Sequence, residues 1–221
     1  MKLIRTLAFL MAIQLLFVGL TFGQGFKVES TGALTASDVP KATQDLLPTQ
    51  GMKVVSEQGS TLLEVWLPKT VPASASPTSS SDILYGALSE GVFLGVVHYP
   101  AQNADFRGHP IKPGYYTLRY ALIPQDGNHM GVFATRDVVH LCPAASDTNL
   151  EKPLSSADMT KMGSAVSGTP HPAFLVMAPV SGSSFPAVVT DDQGYVDLVM
   201  KLHEQSGELP VALTIVGKWS G

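Results

Sequence analysis

Five side chains in the middle of the chain have the chemistry of a binding site: Arg107, His109, His129, Arg136 and Asp137. They stand in or beside segments of turn composition, which read Arg-Gly-His-Pro, Asp-Gly-Asn-His and Arg-Asp before an apolar run. Guanidinium groups bind carboxylate, phosphate and sugar oxygens through forked hydrogen bonds. If these loops meet at one end of the fold, the sequence predicts a polar ligand-binding pocket there.

The same five residues also have a purely structural interpretation. An Arg-Asp pair at the start of a strand is suited to hydrogen-bonding the backbone of a neighbouring loop. Histidines on turns rich in Gly and Pro are expected to be exposed. Spacing along the chain does not decide whether the loops converge, so both interpretations stay open. For Asp137 we favour the structural one.

Signatures of catalysis are missing from the sequence. No Gly-x-Ser-x-Gly elbow is present, and paired carboxylates occur only as Asp191-Asp192 in a turn. The histidines form no H-x-H or H-E-x-x-H spacing. We therefore predict no catalytic residue, no metal ligand and no cofactor. Tyr115, Tyr116 and Tyr120 have rings that stack well on sugars, but tyrosines alternating along a strand are more typical of a core.

Cys142 is the only cysteine, so no internal disulfide can form. It ends the apolar run Val138–Cys142, which favours a buried and inert thiol. A reactive thiol would need an electropositive, partly exposed setting. His140 is two residues away and would share a strand face with Cys142, which is only a weak indication of such a setting.

The first 23 residues have the organisation of a secretory signal peptide. Lys2 and Arg5 precede an apolar run from Leu7 to Leu20, and small residues follow. The run is shorter than the roughly 18–20 apolar residues that a spanning helix needs. We therefore predict cleavage before Gln24 and a mature domain over residues 24–221, located in the periplasm or outside the cell.

The charge of the chain restricts its partners. Its 221 residues include 14 basic and 18 acidic side chains, for a formal net charge of −4 at pH 7. Without a basic block, the composition favours neither nucleic-acid binding nor attraction to an anionic membrane surface. We expect no membrane insertion after signal cleavage, and a small molecule, a glycan or an envelope protein as the partner.

Strand character dominates the rest of the chain. Period-two alternation is clearest in Tyr115–Ile123 and Tyr195–His203, where alternate positions are apolar. Further strands are predicted at Phe26–Ser30, Met52–Ser56, Thr61–Leu67, Val92–Tyr99, Val138–Cys142, Ala173–Ala178, Ala187–Thr190 and Val211–Gly217.

Only two short helices are predicted. One is capped near Asp38 and ends at Leu47, and the other is capped by Ser155 or Ser156 and ends near Val166. The Ser/Pro-rich stretch 70–82 is expected to be a flexible loop within a single domain. The predicted fold class is all-β, an antiparallel β-sandwich or flattened barrel with two short helices.

Four strings of this sequence resemble an uncharacterised family of exported bacterial proteins: DFRGHPIKPGYYTLRYALIPQDGNHMGV, RDVVHLCPAASD, SGTPHPAFL and LPVALTIVGK. The similarity covers roughly residues 40–217. It implies export and a single globular unit. No activity, ligand or catalytic residue is assigned to that family, so the resemblance implies no functional role for any residue.

Three hypotheses of function follow from these observations. The first is a non-catalytic β-sandwich of the cell envelope that binds a ligand or partner. The second is a hydrolase acting on extracellular carbohydrate or ester, with its site around the five residues named first. The third is a structural envelope component without a small ligand. A deep pocket would favour binding or catalysis over a structural role.

Overall fold

The computed structural model describes residues 25–127 and 133–217. Within these ranges the chain is all-β, with ten strands in one sheet, a separate two-stranded ribbon and two short helices. The predicted fold class, an antiparallel sandwich or flattened barrel, is confirmed. The predicted signal segment 1–23 and His129 lie outside the described residues, so cleavage and export stay predictions.

The strands, in chain order, are β1 Phe26–Thr31, β2 Gly51–Ser56, β3 Thr61–Trp66, β4 Phe93–Tyr99, β5 Asn103–Ala104, β6 Pro110–Ile111, β7 Gly114–Leu122, β8 Asp137–Pro143, β9 Phe174–Ala178, β10 Ala187–Thr190, β11 Val196–Glu204 and β12 Gly207–Val216. The helices are α1 Lys41–Asp45 and α2 Ser156–Ser167. The sequence predicted every long strand to within a few residues at each end. It missed the short ribbon of β5 and β6 and the early start of β12.

The ten-stranded sheet curls into a nearly closed barrel. Its strand order is β1-β2-β3-β4-β7-β8-β9-β12-β11-β10, and every pair is antiparallel. The two edge strands, β1 and β10, lie beside each other without forming a ladder. A seam in the hydrogen bonding therefore runs between them.

Alternate side chains point into the barrel, as the period-two patterns predict. On β7, Leu118 and Tyr120 are buried in the central core. On β11, Leu198, Met200 and Leu202 are buried in the same core. The inward face of each strand therefore supplies the hydrophobic interior that holds the sheet in its curved form.

A second layer covers part of the outside of the barrel. Residues 32–50 and 144–150 pack Leu47 and Leu150 against Trp66. Helix α2 packs against the outer faces of β7 and β8 through a second outer cluster. Because of this layer, β7 is buried on both faces, although its sequence alternates.

Helix α2 has the termini that its sequence predicts. The hydroxyl of Ser155 accepts a hydrogen bond from the backbone N–H of Asp158 at 3.1 Å, as an N-cap does. Gly168 ends the helix in the left-handed conformation with φ of 69°, which glycine adopts without a steric penalty. No helix in the described ranges is long and apolar enough to cross a membrane.

Helix α1 differs from the prediction at its start. Its N-cap is Pro40, which has no side-chain cap, rather than Asp38. The amide nitrogen of Gln44 donates to the carbonyl of Ala36 at 2.8 Å and so ties the helix to the preceding turn. A hydrogen bond from a side chain within the helix is therefore present where the sequence predicted an N-cap.

The connection between β3 and β4, residues 67–92, is here called the cap segment. It closes the barrel end at which β3 and β11 finish. The backbone N–H of Val71 donates to the carbonyl of His203 at 2.7 Å, and Val71 is fully buried in the core. The predicted loop 70–82 is therefore exposed over most of its length but attached to the barrel at Val71.

Tyr85 attaches the cap segment to β9 and β12 through hydrogen bonds of its hydroxyl. Its hydroxyl donates to the carbonyl of Ala178 at 2.6 Å and accepts from the N–H of Ala212 at 3.1 Å. These groups belong to β9 and β12, which pair over only two residue positions. The hydroxyl thus extends a short ladder, and burial raises the pKa of Tyr85 to about 12.

A buried ion pair joins the outer layer to β7. Arg119 is fully buried and meets Asp147 in a forked pair, with Nε···Oδ2 and Nη2···Oδ1 both at 2.7 Å. Its remaining N–H groups donate to the carbonyls of Gly91, Asn149 and Lys152. The guanidinium therefore has a partner for each of its five donors.

Replacing Asp147 by Asn is expected to destabilise the fold strongly. Asn keeps the shape of the side chain but leaves a buried guanidinium without its counter-charge, which costs about 3–5 kcal/mol. Urea denaturation gives the change in unfolding free energy. The control is Asp45→Asn, which removes the exposed Lys41–Asp45 ion pair and is expected to cost less than about 1 kcal/mol. Equal stabilities of the two variants would contradict the importance of the buried pair.

Candidate functional site

The side chain of Asp137 makes hydrogen bonds that stabilise the fold. Its side chain is fully buried at the start of β8. It accepts from the backbone N–H of Leu84 at 2.8 Å, from the N–H of Tyr85 at 2.9 Å and from the hydroxyl of Tyr120 at 2.7 Å. The carboxylate therefore holds the cap segment against the barrel, as the structural interpretation of this residue expects.

Arg136 lies beside it and is also engaged with backbone. Its Nε donates to the carbonyl of Ile123 at 2.7 Å, and its Nη1 lies 3.9 Å from Oδ2 of Asp82. The side chain is 24 % exposed. The residue joins the end of β7 to the cap segment while keeping part of its guanidinium in solvent.

Arg107 and His109 stand on a tight loop built around Asp105. The fully buried carboxylate of Asp105 accepts from the backbone N–H groups of Arg107 at 3.0 Å and His109 at 2.8 Å. Its other oxygen lies 3.0 Å from Nδ1 of His109. An ionised carboxylate only accepts hydrogen bonds, so Nδ1 carries the proton and Nε2 is the free nitrogen. Gly108, with φ of 83°, permits the turn.

The structure does not bring the four described residues of the predicted site together. The loop with Arg107 and His109 precedes the start of β7, and Asp137 pairs with Leu122 at its other end. Nine residues of strand separate these ends, which is about 27 Å at the usual rise per residue. Within residues 25–127 and 133–217, neither Arg107 nor His109 shares a hydrogen bond or ion pair with Arg136 or Asp137.

Aromatic rings provide the only direct connection between the two loops that the described residues show. The rings of Phe106 and Phe133 lie 5.7 Å apart, and Phe106 also meets Tyr195 at 5.1 Å. These contacts are apolar packing rather than a polar pocket. The ligand-binding role of His129, outside the described residues, stays a prediction.

His140 and Cys142 lie on the outer face of β8, beneath the outer layer. Cys142 is fully buried, and burial raises the pKa of its thiol to about 12, so the thiol is inert as predicted. His140 is 9 % exposed, its Nδ1 has no hydrogen-bond partner, and burial lowers its pKa. Its ring stacks against Phe174 at 6.5 Å, and the residue lies opposite Arg119 in the β7–β8 ladder.

A well-formed opening lies elsewhere, at the seam, and is here called the seam cleft. It has a volume of about 740 Å³. Its floor is formed by apolar side chains of β1, β2, β3 and β11, with Leu67 of the cap segment: Val28, Met52, Val65, Leu67 and Met200. All five belong to the central core or pack directly on it. The cleft therefore reaches the barrel interior.

The seam cleft exists because β10 is shorter than β11. Strand β10 pairs only with Val196–Val199, and the next contact on that side of β11 is the bridge from Val71 to Glu204. Between them, the described residues place no strand on that side of Met200–His203, whose other side pairs with β12. The space left there opens into the barrel, next to the ends of β1 and β3.

Polar side chains surround the mouth of the seam cleft. Four are formally charged, Glu29, Lys69, Lys201 and Glu208, and the fifth is His203. Lys201 and Glu208 form an ion pair at 2.6 Å, and the Lys201 ammonium also lies 5.2 Å from the centre of the Phe185 ring. The opening thus combines an apolar floor with a polar rim, which is the usual composition of a small-molecule site.

A second, smaller cleft of about 490 Å³ adjoins the first. It is lined by Leu46, Phe93 and Leu150, and the two clefts share Pro68 and Lys69. The cap segment therefore forms the wall between two openings.

Neither opening has the ligands of a metal centre. Among the described residues, no three His, Cys, Asp or Glu side chains are grouped closely enough to hold a metal ion. The arrangement at the seam is suited to binding through apolar contact and charge.

The sequence analysis missed the seam cleft because its residues come from five distant segments. One signal was available: the predicted strand Ala187–Thr190 is much shorter than its hairpin partner Tyr195–His203. A short strand beside a long one leaves part of the longer edge without a neighbour.

Comparison of the chain with protein-family models, with curated proteins and with solved structures finds no match. The resemblance to exported bacterial proteins therefore stays a prediction, and the argument for function rests on the geometry of this fold.

Replacing Asp137 by Ala is expected to lower the stability of the fold. The change leaves two backbone N–H groups and the Tyr120 hydroxyl without their acceptor, at a cost of about 1–3 kcal/mol for a buried unsatisfied group. Chemical denaturation measures the loss. The control is Arg107→Ala, whose half-buried side chain has no hydrogen-bond partner among the described residues; its effect is expected within about 0.5 kcal/mol. An Asp137→Ala variant as stable as the parent would show that the cap segment does not depend on this carboxylate.

The buried His140 is expected to make the fold sensitive to acid. Its pKa in the folded state is lowered, whereas an unfolded histidine titrates near pH 6.5, about its ordinary value. As the pH falls through that value, the unfolded chain binds a proton that the folded chain does not, so stability decreases.

The experiment compares unfolding free energies at neutral and mildly acidic pH. In His140→Asn the fall in stability is expected to be shallower than in the parent, because this proton uptake is lost. His171→Asn, which changes an exposed histidine, serves as the control and is expected to keep the parent's slope. Identical slopes in the parent and in His140→Asn would show that His140 does not produce the acid sensitivity.

Proposed function

We propose that this chain is a non-catalytic binding protein of the cell envelope that holds a small molecule with an apolar body in the seam cleft. The observation that carries the proposal is the opening of the barrel core at the seam, where Val65 and Met200 line a cleft of about 740 Å³. The proposal includes export, which rests on the N-terminal segment of the sequence.

The size and lining of the seam cleft support binding of a small molecule. Ligand sites in proteins usually enclose about 300–1,000 Å³, with apolar walls and a few polar groups that set orientation. The floor of the cleft is part of the hydrophobic core. An apolar group that binds there is therefore transferred from water to an environment similar to the core. Such transfer contributes about 25 cal/mol for each Å² of apolar surface buried.

The frame around the seam cleft also supports binding, because it is fixed before a ligand arrives. The cap segment beside it is attached through Val71, Tyr85 and the contacts of Asp137. A pre-organised site loses little conformational entropy on binding.

The hydrolase hypothesis has less support. The imidazole of His109 is oriented by Asp105 as a general base would be, but no hydroxyl or thiol of the described residues hydrogen-bonds to it. The carboxylate of Asp137 is occupied by backbone and tyrosine donors. Binding therefore explains the geometry better than hydrolysis.

Binding of linear alcohols tests the apolar character of the site. Decanol is expected to bind more tightly than octanol, because each additional buried methylene contributes about 0.8 kcal/mol. Two methylenes correspond to an affinity ratio of about 15. Competition against the fluorescent probe anilinonaphthalene sulfonate measures both affinities.

A blocking variant locates this binding. Ser30 lies on the inward face of β1 and lines the seam cleft, so Ser30→Trp is expected to fill it and abolish decanol binding. Thr190→Trp places the same ring at an exposed position of β10, outside the cleft, and is expected to bind decanol like the parent. Undiminished binding by Ser30→Trp, or no binding by the parent, would rule out the proposed function.

A further inference from the structure

The charges at the mouth of the seam cleft indicate which head group its ligand carries. This inference rests on the proposed function. Four formally charged side chains line the cleft, two carboxylates and two ammonium groups. Three of the four have ion-pair partners within the protein, and the fourth has none among residues 25–127 and 133–217.

Both carboxylates are already paired. Glu29 lies 2.7 Å from the ammonium of Lys27 and 3.2 Å from that of Lys53. Glu208 pairs with Lys201 at 2.6 Å, and its second oxygen lies 4.0 Å from Nδ1 of His203. These partners hold the pKa values of both carboxyl groups below their usual range. A cationic ligand would have to compete with these existing partners.

Lys69 is the charge without a partner. Among the described residues, no carboxylate lies within ion-pair distance of its ammonium, although it lines the seam cleft. Its backbone is held by a hydrogen bond from its N–H to the carbonyl of Leu46 at 3.5 Å. The preceding residues, Leu67 and Pro68, belong to the apolar lining. A cation thus stands directly beside the apolar part of the cleft.

We infer that the ligand is an anionic amphiphile of the carboxylate class, with its head group paired to Lys69 and its apolar body on the floor of the seam cleft. An anion gains the attraction of Lys69 without breaking any ion pair of the protein. A neutral head group gains no such attraction, and a cationic one meets the unpaired ammonium as a like charge.

Three ligands with the same alkyl chain test the inference: decanoate, decanol and decylammonium. Isothermal titration calorimetry measures the three affinities. It is done at about pH 7.5, where ordinary lysine and carboxylate groups are ionised. Decanoate is expected to bind about fivefold more tightly than decanol, the upper range for an exposed ion pair. Decylammonium is expected to bind more weakly than decanol.

Variants and salt identify the source of the preference. Lys69→Met is expected to remove the preference for decanoate while leaving decanol affinity within twofold of the parent. Lys112→Met removes an exposed lysine that has no ion pair among the described residues and lies outside the seam cleft, and it is expected to keep the preference. Raising the salt concentration from about 0.01 M to about 0.1 M shortens the screening length from about 30 Å to about 10 Å. The preference for decanoate over decanol is therefore expected to decrease.

The possible results separate this inference from the proposed function. Equal binding of decanoate and decanol overturns the anionic head group and leaves the proposed function standing. A preference for decanoate that survives in Lys69→Met overturns the assignment to Lys69. Binding of none of the three ligands overturns the proposed function, and the inference with it.

Discussion

The buried guanidinium of Arg119 is the constraint on which the outer layer of this fold depends. A charge removed from water is tolerated only when counter-charge and hydrogen bonds replace its hydration. Arg119 obtains these from Asp147 and from three backbone carbonyls, which belong to two segments that are irregular on their own. The end of the cap segment and the connection after β8 are therefore fixed in the arrangement that supplies hydrogen bonds to this guanidinium. Thr117, two residues earlier on the same face, adds a 2.6 Å bond to Asp147.

At the end of the barrel, the acidic side chain of Asp137 positions an irregular segment in the same way as the basic side chain of Arg119. It collects two backbone N–H groups and the Tyr120 hydroxyl, so it determines where the cap segment crosses. The two ionised side chains fix opposite ends of that segment's second half, Asp137 at Leu84 and Tyr85 and Arg119 at Gly91. The first half is attached mainly through Val71 and lies beside the seam cleft. The second half of the cap segment is thus fixed to the barrel by charged side chains and hydrogen bonds, whereas the first half lies beside the open seam cleft.

The sequence predicted those features that depend on neighbours along the chain. Alternation predicted the inward faces of β7 and β11, and Ser155 marked the start of α2. It did not predict the second layer, because Arg119 and Asp147 are 28 positions apart and nothing local distinguishes a buried arginine from an exposed one on an alternating strand. Spacing along the chain did not show how the candidate polar residues are arranged either: Arg107 and His109 precede the start of β7, whereas Asp137 pairs with its end.

The open seam leaves one side of β1 without a paired strand among the described residues, and the side chains of β1 disfavour pairing with another copy. Unpaired strand edges promote aggregation, and charged side chains on the edge are a common protection. On β1, Lys27 and Glu29 alternate with Phe26 and Val28, and the first two are paired with each other on the outer face. An approaching strand would have to desolvate these charges. The alternation that builds the core therefore also protects this edge, since it places charged side chains where a second strand would have to pair.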